Sequence, residues 1–193
     1  AGYGLLVTWL PAFLEYRFEI TTDAAGKYTM LPLMGVIFGS LSGGVAVDGI
    51  LKVTGNKWVS RSGIAFFALG ACGLLTVAAS LTGNPDLFVM LMTSASYFSG
   101  LASPPAWAAT MDVAGRYTSV VVGAMNMSGT IGAFMMPIVL GYMIGDIKET
   151  GGDWNLIIYF VAAIYILGSV SWLVVNPNDP PPGEAATESQ VTV

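Results

Sequence analysis

The chain has 193 residues, a mean hydropathy of +0.70 and only 10% charged residues, against about 25% in an ordinary soluble domain. A water-facing surface cannot be built from so few charges, so lipid is the expected solvent for most of the chain. The net charge of −5, the absence of His and the single Cys72 exclude a nucleic-acid binder with a basic surface, histidine-based catalysis or metal ligation, and an intrachain disulfide.

Crossing a bilayer core of about 30 Å takes about 20 apolar helical residues. Residues 1–14, 28–47, 62–85, 87–111, 117–145 and 154–178 contain no Asp, Glu, Lys or Arg. Six helices are therefore predicted, at about 1–15, 27–47, 61–81, 87–111, 117–144 and 154–176. The first run is short and reads as a helix that has lost its beginning. The runs are too long for the roughly 10-residue alternating strands of an outer-membrane barrel. The fold class is an all-α, polytopic six-helix membrane bundle over 1–176. The tail 177–193, rich in Pro and Glu, is expected to be disordered.

In the second run Gly35, Gly39 and Gly43 recur every four residues and share a face, which predicts close helix packing. Gly141 and Gly145 repeat the device in the fifth run. In the fourth run Pro104 and Pro105 predict a break, since each removes a backbone donor. Ser96, Ser99 and Ser103 lie on one face before it. They read either as caps of their own helix or as a polar strip facing a cavity. Asn126 lies mid-span in the fifth run, where an amide must find a partner or water. Trp9 and Trp107 suit an interfacial belt. Asp112 and Arg116 are predicted in a turn outside the apolar core.

Loops 48–61 and 112–116 share a side with the tail and carry Lys52, Lys57, Arg61 and Arg116; the other side carries Arg17, Lys27 and Lys148. This asymmetry predicts a cytoplasmic C-terminus. No charged residue lies mid-span. That removes the paired acids of an intramembrane protease, a base for a catalytic Ser and a mid-span Lys for retinal. No enzyme, cofactor or metal is predicted. The charged half of any ion-coupled mechanism is expected in a segment outside this chain.

Several stretches resemble the C-terminal six-helix half of a major facilitator superfamily transporter, and within it the anion:cation symporter family of hexuronate, glucarate and galactonate permeases. They are YGLLVTWLPAFL (3–14), GGVAVDGILK (43–52) followed by Arg61, WAATMDVAGRYTSVVVGAMNMSGTIGAFMMPIVLGYMIG (107–145) and WLVVNPNDPP (172–181). Gly49 departs from the pattern, which has a basic residue after Asp48. The resemblance implies one half of a twelve-helix fold, taking up a small organic anion, a sugar acid or carboxylate, with a proton or sodium ion by alternating access. The partners it implies are that anion, the coupling ion, the missing N-terminal six-helix half and the bilayer of a bacterial inner or plasma membrane. By matching positions Trp107 and Asn126 line the substrate site, with Ser99, Ser103 and Trp9 as weaker candidates. Asp48, Arg61, Asp112 and Arg116 form cytoplasmic charge contacts. Coupling carboxylates and a substrate-binding Arg belong to the other half. An exporter or facilitator of another small solute, and a six-helix structural or assembly protein, stand as alternatives.

Overall fold

The computed structural model describes residues 10–179. Among these, every regular element is helical: α1 (Leu10–Phe18), α2 (Thr22–Thr54), a π turn (Val59–Gly63) running into α3 (Ile64–Ser80), α4 (Pro85–Leu101), α5 (Ser103–Ala114), a 3₁₀ turn (Gly115–Tyr117), α6 (Thr118–Thr150) and α7 (Asn155–Ser171). The all-α membrane bundle expected from the apolar runs is the one found, with α4 and α5 together forming the fourth run.

Several helices overrun their predicted ends, two of them by five residues or more. The expected helix over 27–47 spans Thr22–Thr54, and the one over 117–144 continues to Thr150. Charges mark where an apolar run stops, but Asp23, Lys27, Lys52, Asp146 and Lys148 are tolerated in a helix that projects into water. Thr21 accepts from the Ala24 backbone N–H at the start of α2, and Gly55 ends that helix at φ 64°. Only a residue without a Cβ adopts that left-handed conformation at no steric cost. The predicted tail boundary also moves. Pro177 is fully buried and Asn178 is hydrogen bonded, so order reaches past 177; residues 180–193 lie outside the described residues.

Helix α2 packs on α4, and α3 packs on both α4 and α7. The α2–α4 seam has a steric cause. A Cβ built on Gly35 would lie 2.6 Å from the Thr93 carbonyl oxygen, and one on Gly43 would lie 2.7 Å from that of Leu101. One on Gly39 would collide with the Tyr97 carbonyl, and one on Gly100 with that of Val36. Backbone therefore touches backbone, as small residues permit in lipid, where no hydrophobic drive holds helices together. Ser42 seals the seam by donating to the Phe38 carbonyl and bonding the Tyr97 hydroxyl at 2.9 Å. The predicted break falls at Ala102, between α4 and α5, with Pro104 and Pro105 in the first turn of α5. There their missing N–H groups leave no bond unmade.

Helix α6 is different. No residue from Thr118 to Met135 is buried. Its buried anchors lie farther along, where Met136, Leu140 and Ile147 pack on Ile157 and Val161. Leu140→Ala is expected to destabilise the protein by about 2–5 kcal/mol through the cavity left behind, because Leu140 is fully buried. Val120→Ala, at a 70% exposed position of the same helix, should leave it unchanged. Thermal melting of both variants in detergent checks this contrast.

Candidate solute wall and charge clasp

The break at Ala102 redirects the chain so that α5 runs to the turn at Gly115. Trp107 lies seven residues before the end of α5, and Asn126 eight residues after the start of α6. At 1.5 Å per residue both sit about 10–12 Å in from that turn. Thr110 Oγ1 donates to Met125 Sδ at 3.0 Å. This pins the turn of α5 after Trp107 beside the turn of α6 that carries Asn126. Trp107 is 41% exposed, and Asn126 is exposed.

Among the described residues, Ser128 and Thr130 return their hydroxyls to the carbonyls of Ala124 and Asn126, whereas the Asn126 amide finds no hydrogen-bond partner. Its neighbours Met125, Met127 and Ile131 are exposed apolar side chains. An unpartnered amide on such a helix needs water, a solute or another helix.

The serine strip divides. Ser103 is exposed at the start of α5. Ser99 is half-buried and shares a 3.3 Å hydrogen bond with the Tyr165 hydroxyl of α7, so its polar atom is taken up within the bundle. Ser96 is buried against the glycine seam. Trp9 lies outside the described residues.

The charged candidates regroup as well. Asp48 is exposed, and its carboxylate makes no ion pair among the described residues. Arg116 is also exposed; it donates to the Tyr117 hydroxyl at 2.8 Å, with its guanidinium over that ring. Of these four charged candidates, Arg61 and Asp112 pair with each other among the described residues.

The clasp joins other partners. Arg61 Nε lies 3.0 Å from Asp112 Oδ2, and Lys57 Nζ lies 3.1 Å from Asp112 Oδ1. Arg61 is 8% exposed. It also donates to Ser60 Oγ, which donates in turn to the Val47 carbonyl. The π turn makes this possible. Its extra residue per turn, a feature common at functional sites, puts Ser60, Arg61 and Ser62 on the buried side at once. One carboxylate thus ties α5 to the start of α3, and Ser60 ties that to the end of α2.

Sequence reading missed Lys57 and Ser60 as members of the clasp. The one signal available was their place in the basic loop 48–61. Tyr165, which captures Ser99, had no sequence signal.

At the opposite end an apolar cavity of about 60 Å³ lies between α1, α4, α6 and α7. Tyr16 stacks on Trp154 with ring centroids 5.5 Å apart, and Lys148 Nζ sits 3.9 Å over Tyr16. Leu10, Phe13, Met92 and Ile158 wall the cavity beside Tyr16 and Lys148, and the Lys148 ammonium is taken up over the Tyr16 ring.

Residues 1–192 match the model of the Major Facilitator Superfamily. A probable sulfoacetate transporter of Cupriavidus necator is 31% identical over 180 residues, covering 91% of this chain and 40% of that protein. A D-galactonate transporter of Escherichia coli is 25% identical over 173 residues, covering 87% of this chain and 38% of its own. A probable galactarate/D-glucarate transporter of Escherichia coli is 24% identical over 169 residues, covering 87% and 36%. The chain thus spans about two fifths of the length of the curated relatives it matches. With apolar helices long enough to cross a bilayer and a family match over nearly its whole length, this chain is an integral membrane protein and belongs to the major facilitator superfamily.

Proposed function

We propose that this chain is the second half of a twelve-helix transporter that takes up a small organic anion together with a proton or sodium ion by alternating access. The observation that carries the reading is the Asn126 amide, without a hydrogen-bond partner among the described residues, on an unburied stretch of α6, level with the exposed Trp107 on α5. An apolar helix that leaves an amide open at that depth is built for a wet face. In this reading the face is one wall of the solute path, and the other six helices supply the opposite wall. The open space around Gly141 and Gly145, where an added Cβ would meet nothing within 4 Å, fits a surface completed by another part of the protein.

Three relatives named as transporters of sulfoacetate, D-galactonate and galactarate/D-glucarate support an organic anion with a carboxylate or sulfonate. No charged side chain lies within the apolar runs of this chain, so the anion's charge and the coupling ion fall to groups in the other half. This half contributes an amide, a large aromatic face and, more weakly, the Ser103 hydroxyl. The basic excess at the clasp end puts the clasp, Asp48, Arg116 and the C-terminus in the cytoplasm of a bacterial inner membrane or a plasma membrane. Arg61–Asp112–Lys57 then holds the cytoplasmic ends of α3 and α5 together in one state and releases them in the other as the two halves rock.

The test is uptake by the complete transporter in proteoliposomes, with sulfoacetate, galactonate, glucarate and a neutral hexose each offered under an imposed proton or sodium gradient. Gradient-driven accumulation of at least one anion and none of the hexose is expected. Accumulation of the hexose alone, or efflux without gradient-driven uptake, would replace this reading with a facilitator or exporter.

A further inference from the structure

Beyond the clasp, the exit segment after α7 folds back onto the loop that precedes α3. Pro177 is fully buried, and Ser62 Oγ donates to the Val175 carbonyl at 2.7 Å. Asn178 makes a reciprocal pair. Its Nδ2 donates to Asn56 Oδ1 at 3.0 Å, and its Oδ1 accepts the Lys57 backbone N–H at 3.1 Å. Asn56 Oδ1 accepts in addition from the Trp58 and Val59 backbone N–H groups, so the amide pair also holds the entrance to the π turn.

Asn178 is itself held locally. Asn176 Oδ1 accepts from its backbone N–H, and Asn176 Nδ2 donates to Asp179 Oδ1 at 2.7 Å. The residue gripped by this clip is the one whose ammonium reaches Asp112. The Lys57 side chain is 46% exposed and flexible, and a long exposed ammonium alone gains little from a carboxylate. Fixing its backbone lowers the entropy lost when it pairs.

We infer that Asn178 is a positioning residue for the cytoplasmic clasp: by gripping the Lys57 backbone it sets the Lys57–Asp112 contact, so the chain's C-terminal exit biases how readily the clasp opens. The inference rests on reading Asp112 as a gate contact, and the experiment separates the two. In the complete transporter, with Cys72→Ser and any other cysteines replaced, Ala114→Cys places a thiol two residues from Asp112 at a buried position. Its rate of alkylation by a polar maleimide reports clasp opening.

Asn178→Ala is expected to raise that rate about threefold, the scale of a partly exposed ion pair, and to add nothing in a Lys57→Ala background. Asn178→Asp, which keeps the acceptor and loses the donor to Asn56, should raise it in the same Lys57-dependent way and stands in if the alanine variant does not stay monodisperse. Asp112→Asn should raise it at least as much. No rise in Asn178→Ala, or an equal rise with and without Lys57, overturns the positioning role while the gate stands. No rise in Asp112→Asn removes the gate, and this inference with it.

Discussion

Gly39→Ala should destabilise the protein by about 3 kcal/mol or more, at the upper end of what overpacking costs. The atoms nearest the added methyl are all backbone. It meets the carbonyl of Tyr97 and, 3.0 Å away, the backbone nitrogen of Leu101. Backbone cannot rotate out of the way, so α2 and α4 must separate. Separation also breaks the approaches at Gly35, Gly43 and Gly100 and the Ser42–Tyr97 bond. Gly44→Ala is the control: its Cβ would meet nothing within 4 Å, and a helical Ala gains up to about 1 kcal/mol over Gly. Melting of the two variants in detergent should shift in opposite directions. Equal shifts would show that the seam is not what holds α2 to α4.

The second large effect is expected at Asp112. Asp112→Asn removes the carboxylate that pairs with Arg61, whose side chain is 10% exposed. Stripping the partner from a fully buried charge costs about 3–5 kcal/mol; with Asp112 19% exposed, about 2 kcal/mol is expected. Lys57→Ala should cost under about 1 kcal/mol, because that side chain is nearly half exposed and well hydrated without its partner. Arg61→Gln in the Asp112→Asn background should recover part of the loss, since it removes the stranded charge. Chemical denaturation of the wild type, Asp112→Asn, Arg61→Gln and the double variant as a mutant cycle, with Lys57→Ala beside them, decides the point. A Lys57→Ala effect equal to that of Asp112→Asn would mean that Lys57, and not Arg61, holds the clasp.

These two cases show what could be read from the residues. The i, i+4 glycine line states its own packing rule, and the Pro104–Pro105 break is written in the backbone chemistry of proline. Long charge-free runs imply helices because nothing else satisfies a backbone in lipid. Partner choice was not legible. Asp48 lies nearer to Arg61 along the chain, yet Asp112 takes Arg61, because the π turn rotates Arg61 inward and places it across from α5. Helical spacing puts Ser99 on the serine face, but the rotation of α4 hands its hydroxyl to Tyr165. Gly141 and Gly145 repeat the spacing of the seam glycines while facing open space. A sequence shows which face is small and not what meets it. The ends of α2 and α6 are also not legible, because charges locate the edge of the apolar run and leave the last helical hydrogen bond undetermined.

Asn126 and Trp107 remain the residues on which the transport reading turns. The most direct measurement is gradient-driven uptake of the transported anion by the complete transporter carrying Trp107→Ala and Asn126→Ala, at matched amounts of monodisperse protein in proteoliposomes. Loss of uptake by about tenfold or more, the value of roughly one well-made polar contact plus an aromatic face, with an unchanged melting temperature, is the predicted result. Full uptake by the double variant would contradict it, and would move the solute path away from the face that α5 and α6 leave open.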